Sequence, residues 1–334
     1  MIVTYNRKDT LQRCIQAVLD QSAKVQLSIY VVDNNSSDGT EAAVSEITRK
    51  RESYKNRHLR YFNLRYNSGG AGGFCFGVRK ALEDGADFLW LMDDDCIPEA
   101  DALEEFLKFD SEQQNTYGFL SGKAIWKDGS LCRMNIQRET VFRNLPAEKL
   151  ENASEPVRVE MASFVSLFIP AIVATEIGLP IREFFIWTDD WEYTRRISRK
   201  YPCWAIPSSV VLHDTAQNAG ADISTSPDDR IGRFRYLYRN DVYLYRREGI
   251  RGAAYEVARL ALHTARILRS SSSTTSVAGS DAGASKTGKI GRIGIMLKGT
   301  LEGLRFYPVP DRALVTPETD CLEDLLGQQP QHLK

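Results

Sequence analysis

The sequence lacks the paired cysteines that bind zinc or form a disulfide framework. Its six cysteines are scattered over 334 residues without any C-x-x-C spacing. This pattern argues against a zinc ribbon and fits a reducing compartment, so we expect a cytoplasmic protein. No signal peptide is apparent, because Met1 is followed almost at once by the polar segment TYNRKDT.

Long apolar runs and an excess of positive charge are also lacking. The formal net charge is −1, so a global electrostatic attraction to nucleic acid is not expected. The most apolar stretch, residues 161–180, contains Glu176 and a mid-segment Pro170. A membrane-spanning helix needs about 20 predominantly apolar residues, so this stretch is better explained as a buried strand followed by a short helix.

Strand-like and helix-like segments alternate over the first hundred residues. The strand-like segments are MIVTY, LSIYVVD, LRYFNL and DFLWLM, and helical patterns separate them. This alternation predicts a parallel sheet with helices on both faces. Ligands of such sheets bind at the carboxyl ends of the strands, and polar residues follow each predicted strand. The first strand is short, with only Met1, Ile2 and Val3 ahead of the TYNR element.

Three adjacent carboxylates, Asp93, Asp94 and Asp95, end the fourth predicted strand in DFLWLMDDDCIPEA. Because side chains of an extended chain alternate, Asp93 and Asp95 would point the same way. Two such carboxylates suit Mg²⁺ or Mn²⁺. The alternative is a helix beginning at Pro98 and Glu99, whose N-terminus would favour acids. Capping needs fewer than three aspartates, so we predict a metal site.

His213 follows an apolar, strand-like run in SSVVLHDTAQ and would therefore lie at a strand end. A lone histidine is more often structural than catalytic. Two aspartate ligands nearby would nevertheless make its imidazole a suitable third metal ligand.

The glycine-rich segment RYNSGGAGGF, residues 65–74, lies between a predicted strand and a predicted helix. Glycines let backbone amides approach an anion, and a helix N-terminus adds positive potential. The segment matches neither the Walker pattern nor G-x-G-x-x-G, and a simple tight turn is the alternative explanation.

The segment FFIWTDDWEYTRR, residues 184–196, places carboxylates among tryptophan and tyrosine rings. Such a set can hold a sugar, with rings on its apolar face and acids on its hydroxyls. A carboxylate pressed against a tryptophan ring can also have a raised pKa and act as a general base. The alternative is a capped helix start with aromatic residues in the core.

The C-terminal third is rich in arginine and tyrosine, as in RFRYLYRNDVYLYRREGIR. We predict an amphipathic helix with its aromatics packed inward and its arginines toward phosphates or an anionic membrane. Nucleic-acid binding would need a broader basic footprint. Residues 270–288 have the Ser/Gly/Ala-rich composition of a disordered linker. We divide the chain into a domain at 1–250 and a helical region at 251–334.

Seven motifs in order resemble the family 2 glycosyltransferases with the GT-A fold over residues 1–250: VTYNR, VVDNNSSDGT, NSGGAGGF, WLMDDD, FFIWTDDWEY, VLH and YLYRN. Their combination is most similar to the galactofuranosyltransferase branch, with rhamnosyltransferases as the nearest alternative. The resemblance implies an α/β fold with a mostly parallel sheet and a helical C-terminal extension. It also implies inverting, metal-dependent hexosyl transfer from UDP-galactofuranose to a glycan or polyprenyl-diphosphate-linked acceptor in cell-envelope polysaccharide synthesis.

The resemblance also implies roles for individual residues. The donor would be bound by Thr4, Asp33, Arg65, Asn67, Gly69, Gly70 and Asp94, with Asp33 toward the uracil. A divalent cation, Mn²⁺ or Mg²⁺, would be held by Asp93, Asp95 and His213. The general base would be Asp190, and the acceptor would be oriented by Trp187, Asp189, Trp191 and Glu192.

Two other classes of protein share some of these features. A sugar nucleotidyltransferase also uses carboxylate-bound metal on an α/β sheet. That hypothesis leaves TDDWEY unexplained, and the early glycine-rich loop with a lysine that such an enzyme needs is not seen in the sequence. A non-catalytic sugar-binding module would tolerate the loss of Asp190, which is present. We expect a cytoplasmic enzyme with peripheral contact to the inner face of the membrane through the Arg/Tyr-rich and C-terminal helices.

Overall fold

A computed structural model describes residues 1–50, 56–114, 116–270 and 287–312. Within these ranges the strands are β1 Ile2–Thr4, β2 Leu27–Asp33, β3 Arg57–Asn63, β4 Phe88–Asp93, β5 Cys96–Pro98, β6 Leu120–Ile125, β7 Arg138–Thr140, β8 Arg143–Asn144, β9 Val157–Arg158, β10 Leu167–Pro170 and β11 Trp204–His213. The helices are α1 Lys8–Leu19, α2 Thr40–Lys50, α3 Gly69–Glu83, α4 Ala102–Gln113, α5 Ala147–Glu151, α6 Ala171–Ile177, α7 Asp189–Ser198, α8 Asp228–Ile231, α9 Phe234–Arg246, α10 Gly249–Arg269 and α11 Lys289–Leu304.

The main sheet has a parallel half and a mixed half. Its strand order is β3-β2-β1-β4-β10-β6-β11-β5, with β9 paired to β11. The four strands predicted from the first hundred residues form the parallel half, which confirms the alternation argument. β10 runs antiparallel to both of its neighbours, and β5 runs antiparallel to β11. All of these strands come after the acid triplet along the chain.

Apolar side chains pack on both faces of the sheet, as expected for a sheet covered by helices. On one face, α3 lies very close to β1. A Cβ added to Gly73 would come within 2.5 Å of Val3, and one added to Gly77 within 1.8 Å of Met1. Part of the glycine-rich run therefore serves close helix–strand packing.

Two local predictions are settled by the strand pairing. The apolar stretch 161–180 contains β10 followed by α6, which confirms a buried strand and a short helix. The helix predicted to begin at Pro98 and Glu99 is wrong, because Cys96–Pro98 pairs with Val211–His213 as a strand and α4 begins only at Ala102. Within the described residues, none of the helices combines the length and apolarity needed to cross a bilayer.

The C-terminal helices pack on the sheet domain through α9. Tyr238, Tyr243 and Tyr245 of α9 are buried, which confirms that its aromatics point inward. Its arginines do not face outward toward anions as expected: Arg239 donates to the Glu183 and Phe184 carbonyls, and others bind α11 and the segment after it. Most of the predicted linker, residues 271–286, lies outside the described residues.

Candidate active site

The side chains of the acid triplet point in different directions at the end of β4. The strand ends at Asp93, and the chain then turns before β5. Asp94 accepts a hydrogen bond from Thr4 Oγ1 at 2.7 Å, toward the end of β1. Asp95 lies 3.0 Å from His213 Nε2, toward the end of β11. Asp94 and Asp95 thus point to different strand ends, as the alternation predicts, although the chain turns just after Asp93 instead of staying extended.

The structure brings Asp95 and His213 together as a possible ligand pair at the sheet edge. Their ligand atoms and Cys96 Sγ all lie within 4.8 Å of one another. Asp93 is not part of this group, although it lies close enough for the charges of Asp95 and His213 to act on it. Burial and then the Asp95 charge raise the pKa of Asp93 to about 7.

Asn135 orients the His213 ring through Nδ1, the ring nitrogen that does not face Asp95. The Asn135 amide nitrogen donates to Ser163 Oγ at 2.9 Å, so its oxygen faces His213 Nδ1 at 2.7 Å. An amide oxygen can only accept, which places a proton on Nδ1 and directs Nε2 toward Asp95. Sequence reasoning missed Asn135, which lies in a short turn with no recognisable motif.

The carboxylate and the imidazole form a charged pair. Burial acts to lower the pKa of His213, but the hydrogen bond and charge of Asp95 outweigh it and raise that pKa to about 10. Burial acts to raise the pKa of Asp95, but His213 and Arg7 outweigh it and lower that pKa to about 2.

Arg7 is a second residue that sequence reasoning missed. Its guanidinium forms an ion pair with Asp95 and lies 3.4 Å from Asp94, while about half of its side chain stays exposed. It is the last letter of the VTYNR motif, immediately before α1. Arg7 therefore neutralises two carboxylates of the triplet while its side chain remains partly exposed.

The expected donor residues fall into an inner and an outer group. Asp33 is fully buried and accepts hydrogen bonds from Ser36 and from the Tyr61 hydroxyl. Thr4 and Gly69 are also buried. Arg65 and Asn67 are exposed on the loop before α3, and Gly70 is partly exposed. The inner residues thus shape the loops, and the outer ones are accessible to a ligand.

Asn34 links the end of β2 to the glycine-rich loop. Its side-chain oxygen accepts from the Ser68 backbone at 3.0 Å, and its nitrogen donates to the Gly69 carbonyl at 3.2 Å. Gly69 has φ +72, and a Cβ there would lie 2.0 Å from the Phe185 carbonyl oxygen. The glycine-rich loop therefore packs directly against the segment that precedes the second acid pair.

That second pair, Asp189 and Asp190, opens α7. Burial raises the pKa of Asp190 to about 7, opposed by the Trp191 N–H at 2.7 Å and by the charge of Arg138. Burial, then the Asp190 charge, and to a smaller degree the Asp93 charge raise the pKa of Asp189 well above its usual range. The charge of Asp93 thus acts on Asp189, which relates the second acid pair to the triplet.

The other expected acceptor residues have partners within the protein. Glu192 is buried and pairs with Arg196 at 2.9 Å. The Trp191 ring lies under the Arg138 guanidinium, 4.7 Å from it. The Trp187 ring packs on Phe234. The structure therefore brings Asp189 and Asp190 to the site, whereas the Glu192 carboxylate is committed to Arg196.

Residues of α9 hold the loop ahead of α7 in an unusual backbone conformation. Phe185, Trp187 and Thr188 all have positive φ, near +65. The buried Asn240 amide donates to three carbonyls of this loop, those of Phe184, Ile186 and Trp187, at 2.9–3.2 Å. The next residue, Asp241, accepts from Thr188 Oγ1 at 2.7 Å. In the sequence, the motif YLYRN ends at Asn240 and does not include Asp241.

The chain is similar to known proteins over much of its length. Residues 1–157 match the family model described as Glycosyl transferase family 2. The chain is 28% identical to galactofuranosyltransferase GlfT1 of Mycolicibacterium smegmatis over 262 residues, and 28% identical to that of Mycobacterium tuberculosis over 260 residues. Each match covers 75% of this chain and 83% of the relative.

A solved structure matches the fold. The crystal structure of GalNAc-T7 with UDP, GalNAc and Mn²⁺ superposes with a TM-score of 0.53 at 16% identity. The match covers 74% of this chain and 49% of the GalNAc-T7 chain, so it spans less than half of that structure.

The family match, the relatives and the fold together define this protein as an enzyme, a glycosyltransferase with the GT-A fold. The match to glycosyl transferase family 2 is carried by residues 1–157.

Proposed function

We propose that the protein transfers galactofuranose from UDP-galactofuranose to a glycan or lipid-linked acceptor, with inversion at the anomeric carbon. The observation that carries this proposal is the position of Asp190 at the start of α7, in an acid pair coupled by charge to the triplet. The similarity to two galactofuranosyltransferases supports the donor. Synthesis of cell-envelope polysaccharide, at the cytoplasmic face of the membrane, is the setting we propose.

A divalent cation fits the residues at the sheet edge. Asp95 offers a carboxylate that stays ionised. The His213 imidazole, oriented by Asn135, would release its Nε2 proton as the cation binds, and both groups are then ligands suited to Mn²⁺ or Mg²⁺. Asp93 is the third residue that we propose for this site. Cys96 is unsuited to a hard cation, because burial raises the pKa of its thiol well above the usual range. When bound, such an ion supplies positive charge that stabilises the departing diphosphate.

Asp190 is the residue we assign as general base. It would take the proton of an acceptor hydroxyl while that oxygen bonds to the anomeric carbon and the bond from that carbon to the UDP oxygen breaks. A pKa of about 7 suits this role, because such a carboxylate is ionised in a large fraction at neutral pH yet basic enough to accept a proton. One displacement of this kind inverts the anomeric configuration.

The donor residues at the glycine-rich loop complete the proposal. The N-terminus of α3 presents backbone N–H groups beside Gly70, where a diphosphate would be favoured. Thr4 and Asp94 are joined by a hydrogen bond at the nearest strand ends. Arg7 can turn from the carboxylates to the diphosphate.

A donor screen with matched variants tests the proposal. Purified protein with Mn²⁺ is offered UDP-galactofuranose, UDP-hexopyranoses and dTDP-rhamnose, and transfer to glycan acceptors is followed with labelled sugar. We expect transfer from UDP-galactofuranose, a loss of about 10²–10⁴-fold in Asp190→Asn, and UDP binding within a few-fold of the native protein. The control Asp9→Asn changes a fully exposed aspartate.

Each other outcome points elsewhere. Transfer only from dTDP-rhamnose would make the enzyme a rhamnosyltransferase. Release of pyrophosphate from UTP and a sugar 1-phosphate would make it a nucleotidyltransferase. Near-native transfer by Asp190→Asn would remove Asp190 as the base.

A further inference from the structure

Exposed apolar side chains are concentrated in one part of the molecule. Of the twelve large apolar residues that are exposed among those the structure describes, ten lie between residues 250 and 309. They are Ile250, Val257, Leu262, Leu268, Ile290, Leu297, Leu301, Leu304, Tyr307 and Val309. Monomeric proteins rarely leave so many apolar residues together without a binding partner.

In each helix most of these residues share one face. In α10, Ile250, Val257 and Leu268 are separated by seven and eleven residues, which returns them to the same side of a helix. In α11, Ile290, Leu297, Leu301 and Leu304 follow the same rule. We call these the α10 stripe and the α11 stripe.

Other faces of the two helices hold them to the domain. Ile267 of α10 and Met296 of α11 are buried with Phe234 and Tyr238 of α9. A Cβ at Gly299 would lie 2.4 Å from the Arg235 carbonyl oxygen, so α11 lies directly on α9. The stripes are therefore displayed on anchored helices.

The charge around the stripes is positive. Residues 249–270 and 287–312 contain nine arginines and lysines and three acids, whereas the whole chain has a net charge of −1. All three acids are paired: Glu256 with Arg259, Glu302 with Arg235, and Asp311 with Arg79. Arg251, Arg269, Lys298, Arg305 and Arg312 are exposed.

We propose that the two stripes dock the enzyme on the surface of an anionic phospholipid bilayer. Apolar side chains would enter the boundary of the acyl chains, while the basic residues meet the headgroups. A second copy of this chain is a poorer fit, because two such faces would bring like charges together. This proposal deepens the membrane setting of the proposed function by naming the surface that binds, and it does not depend on which donor the enzyme uses.

Vesicle flotation of the full chain tests the proposal. We expect flotation with vesicles of phosphatidylcholine mixed with phosphatidylglycerol, weaker flotation with phosphatidylcholine alone, and release as salt is raised. Leu301→Glu and Leu297→Glu should each weaken binding by about tenfold or more, since each removes one inserted side chain. Lys298→Glu should weaken binding only to the anionic vesicles.

Two controls separate docking from folding and from catalysis. Ile172→Glu changes an equally exposed apolar residue on α6, outside the stripes, and should float like the native protein. Asp190→Asn should lose transfer but keep vesicle binding. Circular dichroism confirms that each variant is folded.

Three results would overturn the proposal. The first is failure of the native chain to float with anionic vesicles. The second is undiminished flotation of both leucine variants. The third is a dimer in solution that Leu301→Glu dissociates while leaving vesicle binding unchanged, which would assign the stripes to a second copy.

Discussion

At the scale of single residues, aspartates of this site are held at very different acidities. Against the effect of burial, the hydrogen bond and charge of His213 and the charge of Arg7 lower the pKa of Asp95 to about 2. Burial raises the pKa of Asp190 to about 7. Environments that push two carboxyl pKa values apart indicate different roles. Asp95 stays ionised and can bind a cation, whereas Asp190 can exchange a proton near neutral pH.

Arg138 is the residue we expect to tune that exchange. Its charge opposes the effect of burial on the pKa of Asp190, so Arg138→Met should raise that pKa. The rising limb of kcat/KM against pH, which we expect near pH 7 in the native enzyme, should then move to higher pH by up to about one unit. Steady-state kinetics over a pH series measure this shift.

The matched control for this prediction is Arg158→Met. Arg158 stacks on Trp204 at 5.3 Å as Arg138 stacks on Trp191, but in another part of the molecule. In the Arg158→Met variant, the rising limb of kcat/KM against pH should stay where it is in the native enzyme. An unchanged limb in Arg138→Met would mean that a group other than Asp190 sets the pH dependence.

At the scale of elements, adjacent glycines at the start of α3 have different surroundings. A Cβ at Gly69 would collide with Phe185, and φ is +72, so Gly69→Ala should lower the free energy of unfolding by about 1 kcal/mol or more. A Cβ at Gly70 meets nothing within 4 Å. Gly70→Ala should therefore leave thermal stability unchanged but weaken UDP binding several-fold in calorimetric titrations with Mn²⁺.

Gly232→Ala is the control for the glycine prediction, because Gly232 also has open space around it but lies just after α8. It should change neither stability nor UDP affinity. Native UDP affinity in Gly70→Ala would show that the diphosphate does not approach the N-terminus of α3.

The contact between α9 and the loop before α7 gives a second prediction at this scale. Asn240→Ala leaves three loop carbonyls without their donor, so the positive-φ residues should relax and Asp190 should lose its position. We expect kcat to fall by about tenfold or more, with little change in the KM for the donor. Kinetics and thermal unfolding measure the two effects.

Gln137→Ala provides a comparison with a similar cost in stability. The buried Gln137 amide donates to Ser121 and to the Gly122 carbonyl, away from the loop before α7. Both variants should lose about 1–3 kcal/mol of stability, but the larger fall in kcat should belong to Asn240→Ala. Equal falls would make Asn240 only a structural residue.

At the scale of the whole molecule, the raised pKa of Asp190 links stability to pH. The folded state binds this proton more tightly than the unfolded chain, whose aspartates titrate at about 4. Its stabilising effect is therefore complete below about pH 4 and is lost as pH rises through about 7. With EDTA present, the Tm of the native protein should fall between pH 5 and pH 8, and less so in Asp190→Asn.

Differential scanning calorimetry at several pH values checks this prediction. Asp9→Asn, in which a fully exposed aspartate is changed, should follow the native protein. A Tm of Asp190→Asn that falls as steeply as that of the native protein would show that Asp190 does not contribute to the dependence.

The parallel half of the fold could be predicted because its signals are local. In the first hundred residues, each strand or helix is signalled by neighbouring residues: apolar periodicity, glycines and polar strand ends. The strands β1 to β4 form as expected. The strand at Cys96–Pro98 could not be predicted, because it exists only through pairing with Val211–His213, which is distant along the chain. Short segments take the conformation that their tertiary partners impose.

The site divides in the same way. The sequence by itself determined the family resemblance, the parallel half-sheet and the residue types at its edge, since local pattern and motif order carry that information. Only the tertiary structure decided that the chain turns just after Asp93, that Arg7 and Asn135 join the site, and that Asn240 holds the loop before Asp190. These relations depend on side chains from distant parts of the chain meeting in low-dielectric surroundings, where burial and neighbouring charges set each role.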